Sequence, residues 1–157
     1  MLGLTPLGLA HTVVSLVALV AGFWALVRDR EIDPATRLGL TSLVATAITA
    51  ATGLMIFQRG SFGIGHKIAV VTLLILAVGA IARRFKGFGR YVSVTCFSLT
   101  IPLQLIPGTA ETLVRLPPGA PLLNAKTAWL FDYFMAGVAV LFLVGLAFQL
   151  LRVRRKA

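Results

Sequence analysis

Apolar and polar positions alternate along this chain in long blocks rather than with the short period of an amphipathic helix or strand. Charged side chains cut it into five apolar stretches, at about 6–27, 38–58, 64–82, 91–106 and 128–151. A bilayer-crossing helix needs about 20 apolar residues, so the pattern predicts five transmembrane helices. Thr5-Pro6 predicts the first helix start, a hydroxyl cap followed by proline at the first helical position. Pro102 predicts a kink in the fourth helix, because it frees the carbonyl of Ser98. Pro107-Gly108 predicts that helix's end. Between it and the fifth helix, an outer loop with a short helix is expected, carrying Pro117, Pro118 and Pro121. The whole chain, 1–157, reads as one all-α integral membrane domain.

Composition agrees. The chain is 58% hydrophobic and only 13% charged, against about 25% charged in soluble domains. A single soluble core of this length could not hide so much apolar surface. The N-terminus lacks the basic stretch of a secretory signal, so the first block reads as a retained span. The lone Cys96 forms no intrachain disulfide and reads as a small packing residue.

The net charge of +10 first suggests nucleic acid, but its distribution says otherwise. With five spans, eleven of the fifteen basic residues share one side and Arg59, Lys67, Arg115 and Lys126 take the other. The positive-inside rule then predicts the N-terminus outside and the C-terminus in the cytoplasm. A four-span layout would separate the C-terminal cluster from that at 83–90. The basic residues flank helices at one face, where anionic lipids attract them. No basic patch interleaved with aromatics remains to bind nucleic acid.

The other polar groups fall at the opposite face. His11 lies five residues into the first helix and His66 at the start of the third. Gln104 is one turn before the expected end of the fourth; Glu111 and Arg115 follow, and Asp132 opens the fifth. Ionisable groups within a membrane are costly and often functional. Imidazole and carboxylate ligate iron, zinc or copper. Two histidines on different helices can hold a haem iron, and a proton- or quinone-handling site is a third use. The leading expectation is a metal or haem cofactor bound by His11 and His66, with Glu111, Gln104 and Asp132 as further ligands or supporting partners and a redox role following from the cofactor. Plainer roles compete: His11 as an interhelical hydrogen-bonding residue, Glu111–Arg115 as a surface i,i+4 pair, and Asp132 as an anchor for the outer loop. The alternative function is an accessory or assembly subunit of a larger membrane complex, or a homo-oligomer, docking through the small residues of helix two around Ala47 and Ala51. Phosphate-loop, HExxH and CxxC motifs are absent from the sequence, and 60–65 reads as a glycine-rich outer turn.

Several stretches carry a resemblance. His11-Thr12-Val13-Val14-Ser15, Thr52-Gly53-Leu54-Met55-Ile56-Phe57-Gln58, Phe62-Gly63-Ile64-Gly65-His66-Lys67 and Ile106-Pro107-Gly108-Thr109-Ala110-Glu111-Thr112 resemble a family of small uncharacterised bacterial inner-membrane proteins, as does Arg115-Leu116-Pro117-Pro118-Gly119. The resemblance spans nearly the whole chain and is most specific around Glu111. It implies a membrane helix bundle and directs attention to His11, His66 and Glu111. Members tend to carry a histidine where this chain has Gln104, and another where it has Arg59. Histidines in helices one and three also give a looser similarity to b-type cytochrome bundles.

Overall fold

A computed structural model describes residues 5–57, 62–117, 122–124 and 126–156. The last residue expected in the second span (Gln58), Arg59, Gly60 and Ser61 of the glycine-rich turn, and Pro118 and Pro121 of the outer loop lie outside the described residues.

Five helices make up the described fold: α1 (Pro6–Arg28), α2 (Arg37–Gly53), α3 (Ile64–Ala82), α4 (Phe88–Arg115) and α5 (Ala128–Lys156). No strand occurs among the described residues. α1 begins as its first residues dictate: the Thr5 hydroxyl accepts from the Gly8 amide at 3.0 Å, with proline at the first helical position. Thr36 caps α2 the same way, accepting from Gly39 N at 3.1 Å. α1 packs on α2, α2 on α3, α3 on α4, and α4 on both α5 and α1.

Two expected boundaries differ inside the bundle, and α5 runs on past 151 to Lys156. α4 does not end at Pro107-Gly108. It runs through both Pro102 and Pro107 to Arg115, so the separate short helix expected near Glu111 is the last part of α4. Each proline removes one backbone donor, and neighbouring polar groups within a bundle can take up the freed carbonyls. α4 spans 28 residues, about 42 Å at 1.5 Å per residue, which exceeds the hydrocarbon core. The chain after α4 folds back on it, with the amides of Leu123 and Leu122 donating to the carbonyls of Leu113 and Leu116 at 3.0 Å. The second difference is α2, which stops at Gly53 after 17 residues.

The surface and interior are reversed relative to a water-soluble bundle. Val20, Trp24, Val27, Leu141 and Phe148 are each more than 60% exposed. The buried set is instead rich in small and hydroxylated residues: Ala18, Ala25, Ser42, Thr46, Ser93 and Thr100 are essentially inaccessible. An apolar exterior over a small-residue interior is what lipid solvation selects, since burying leucine away from lipid gains little. Four of the five helices, all but α2, are long and apolar enough to cross a membrane. The chain is built as a multi-pass membrane protein.

The basic loops converge at one end. Asp33 of the α1–α2 loop pairs with Arg83, and Glu31 with Arg90, joining that loop to the α3–α4 connection. The third acid there, Asp29, is held by Arg28 at 2.8 Å, and this contact keeps its carboxyl below the usual aspartate range. Arg152 of α5 lines a cleft together with Arg30, which brings the C-terminal basic cluster to the same end.

Candidate functional site

Both histidines lie at the end opposite the basic loops, and the fold sets each imidazole differently. His11 sits in the second turn of α1, partly buried, with Nδ1 3.0 Å from the hydroxyl oxygen of Thr52 near the end of α2. That hydroxyl has one proton, directed at the carbonyls of Ile48 and Thr49 at 2.8 and 3.0 Å. With that proton engaged, its oxygen is left to accept from a His11 Nδ1–H, the tautomer that keeps the lone pair on Nε2. The close approach depends on Gly53: an added Cβ there would lie 3.3 Å from His11 Cε1 and 3.8 Å from Ala69 Cβ. α1, α2 and α3 thus meet at Gly53.

His66 is on α3, one turn before Ala69 and on the same side of the helix. It is 7% exposed. Phe57 and Phe62 pack on its ring, with centroids 4.5 and 5.0 Å away. The amide of Gly63, the α3 N-cap, donates to His66 Nδ1 at 3.2 Å. A nitrogen that accepts carries no proton, so the neutral ring bears its hydrogen on Nε2. That atom is buried and has no partner among the described residues. Their partners are thus satisfied by opposite tautomers, which present a lone pair at His11 Nε2 and a proton at His66 Nε2.

Gln104 lies deeper. Its amide nitrogen donates to Thr46 Oγ1 at 2.9 Å, linking α4 to α2, while its Oε1 is buried and unpartnered. Thr49 Oγ1, one turn along α2 from Thr46, is likewise buried without a partner. Glu111 is 58% exposed at its side chain and pairs with Arg115 at 2.9 Å, the i,i+4 arrangement expected for a helix surface. Asp132 is exposed on α5. Among the described residues no three His, Cys, Asp or Glu side chains converge to hold a metal ion. Of the expected set His11, His66, Glu111, Gln104 and Asp132, no three of the His and acidic members converge among the described residues, and Gln104 lies one level below the histidines, bonded to Thr46.

Sequence reasoning passed over the hydroxyls between α2 and α4. Ser42 donates to the carbonyl of Ala18 at 2.9 Å, Thr46 to Ser42 O at 2.7 Å, and Ser98 to Gln149 Oε1 at 2.7 Å. The signal was present as Ser42, Thr46 and Thr49 at helical spacing, matched by Ser93, Thr100 and Gln104. These residues line a polar interior, part of it hydrogen-bonded, while the Thr49 and Ser93 hydroxyls have no partner among the described residues. Its weak point is testable. Gln104→Met removes both the Thr46 bond, worth about 0.6 kcal/mol in a membrane bundle, and an unpaired buried oxygen that costs about 1–3 kcal/mol. Thermal unfolding in detergent should find it as stable as wild type or more so. Thr46→Val, which leaves the Gln104 amide short of an acceptor, should be the more destabilising of the two.

Comparison with known protein families, with curated proteins and with solved structures finds no match to this chain.

Proposed function

We propose that this is a small bacterial inner-membrane protein of five spans, N-terminus outside and C-terminus cytoplasmic, that binds a metal or haem cofactor near the outer face through His11, with His66 beside it. The carrying observation is the different hydrogen bonding of the two imidazoles: His11 Nδ1 on the Thr52 hydroxyl and His66 Nδ1 on the Gly63 amide, the pairing that opposite tautomers satisfy. His11 Nδ1–H is held by Thr52, so its Nε2 lone pair suits a metal or haem iron, the second imidazole nitrogen being fixed as ligating histidines require. His66 Nε2–H has no partner and suits donation to an oxygen or nitrogen atom of whatever His11 holds. Ligation by His66 itself would require it to give up the Gly63 amide and move its proton. Bound haem, iron or copper would supply redox chemistry; the chain's own residues orient one ligand, exclude water with Phe57 and Phe62, and place one proton. Convergence of the basic loops supports the five-span orientation, with α2 the short span.

Purified protein should show a Soret band or a stoichiometric metal. His11→Ala should abolish it, whereas His66→Ala should retain the cofactor with an altered spectrum. Finding neither band nor metal in the wild type, or equal loss in both variants, would overturn the assignment of roles. The accessory-subunit reading keeps part of its docking face: Ala51 is exposed and Ala47 half-buried on α2, while Ser42, Ala45, Thr46, Thr49 and Ala50 are buried within this chain.

A further inference from the structure

Away from the histidines, at the basic end, a cleft of about 340 Å³ opens between the end of α1 and the last turns of α5. Leu26, Gly145 and Phe148 form its apolar part, and Arg30, Arg152 and Gln149 its polar part. The acids at this end are spoken for: Asp29, Glu31 and Asp33 pair with Arg28, Arg90 and Arg83. Among the described residues, Arg30 and Arg152 have no carboxylate partner. The Gln149 Oε1 accepts from Ser98 at 2.7 Å, which turns its donating NH2 away from that bond and leaves it for a ligand. Three donor groups therefore border one cleft whose floor is apolar.

Arg30 adds a second line of support. It follows the α1 C-cap with φ +65°, the left-handed conformation that helices most often give to glycine at this position. An arginine kept there at a backbone cost points to a use for its side chain.

We propose that this cleft binds one acidic glycerophospholipid, its phosphodiester held by Arg30, Arg152 and the Gln149 amide and an acyl chain lying along Leu26 and Phe148. Donors without a competing carboxylate match a phosphate, and the apolar wall running into the membrane-facing surface matches the chain; a free phosphate would use only the first. This site is independent of whatever His11 and His66 hold.

The test is native mass spectrometry of the detergent-solubilised full chain with phosphatidylglycerol and phosphatidylcholine of identical acyl chains. Phosphatidylglycerol should be retained preferentially and should not be displaced by excess inorganic phosphate. Arg30→Gly with Arg152→Gln, the glycine being suited to the backbone there, should weaken retention about thirtyfold, the factor two arginines contribute toward an anionic headgroup. Arg154→Gln with Arg155→Gln removes the same charge and should change retention by no more than about twofold. Should the double variant not fold, Arg152→Gln alone, at an exposed position, should still weaken retention. Equal losses in the two double variants, equal retention of phosphatidylcholine, or displacement by phosphate would each overturn the proposal.

Discussion

Gly39→Ala should be among the most damaging single-methyl changes in this protein, lowering stability by about 3 kcal/mol or more, beyond the usual cost of overpacking. A Cβ at residue 39 would stand 2.1 Å from the carbonyl oxygen of Asp33 and 2.7 Å from its amide nitrogen. Both are backbone atoms, so no side-chain rotation relieves the clash. Shifting Asp33 has three consequences. Its carbonyl accepts from the Thr36 amide and hydroxyl at 2.9 Å each, its carboxylate accepts from Ala35 N at 2.9 Å, and it pairs with Arg83. The α2 cap, the loop and the tie between two basic loops would be disturbed together. Thr36→Ala, which removes the cap alone, should cost about 1 kcal/mol. Thermal unfolding in detergent checks both; similar melting temperatures for the two variants would mean that the close approach at Gly39 carries no weight.

Gly79→Ala should be nearly as costly, at about 2–3 kcal/mol, for a different reason. The new methyl would meet Phe97 Cε1 at 2.7 Å, Cδ1 at 2.9 Å and Cys96 Cβ at 3.0 Å. Phe97 is 3% exposed and belongs to the buried cluster with Ala25, Leu43 and Ile101, so its ring has no room to withdraw. α3 and α4 would have to separate. A smaller side chain at 97 should make room: Phe97→Leu combined with Gly79→Ala should be more stable than the sum of the single effects predicts, a coupling expected only of residues in contact. Gly137→Ala, with no atom within 4 Å of the added Cβ, should change stability by less than about 1 kcal/mol. Simple additivity in the double variant would show that 79 and 97 do not press on each other.

The helices were legible where a single local feature decided them. Thr5-Pro6 placed the start of α1, and the third apolar block coincides with α3, because capping and hydropathy act within one segment. α4 was misjudged at Pro107 because a proline's effect depends on what surrounds it: two lost backbone bonds end an isolated helix but not one with neighbours. The site was legible in part for the same reason. His11 and His66 stood out as ionisable groups in apolar surroundings, and both belong to the end opposite the basic loops. Their chemical difference was not readable, since it follows from Thr52 on one helix and the Gly63 amide at the start of another. Glu111 and Arg115 carried their ordinary reading openly in their spacing.

The sequence by itself determined that the chain is helical, with helices long and apolar enough to cross a membrane, and which groups of charges accompany one another, because hydropathy and charge are properties of segments. Only the tertiary structure decided which neighbour each histidine nitrogen meets, which arginines the acids neutralise, and that hydroxylated side chains line the interior. Those depend on partners brought together from distant positions, and hydrogen bonds and ion pairs exist only once both partners are in place.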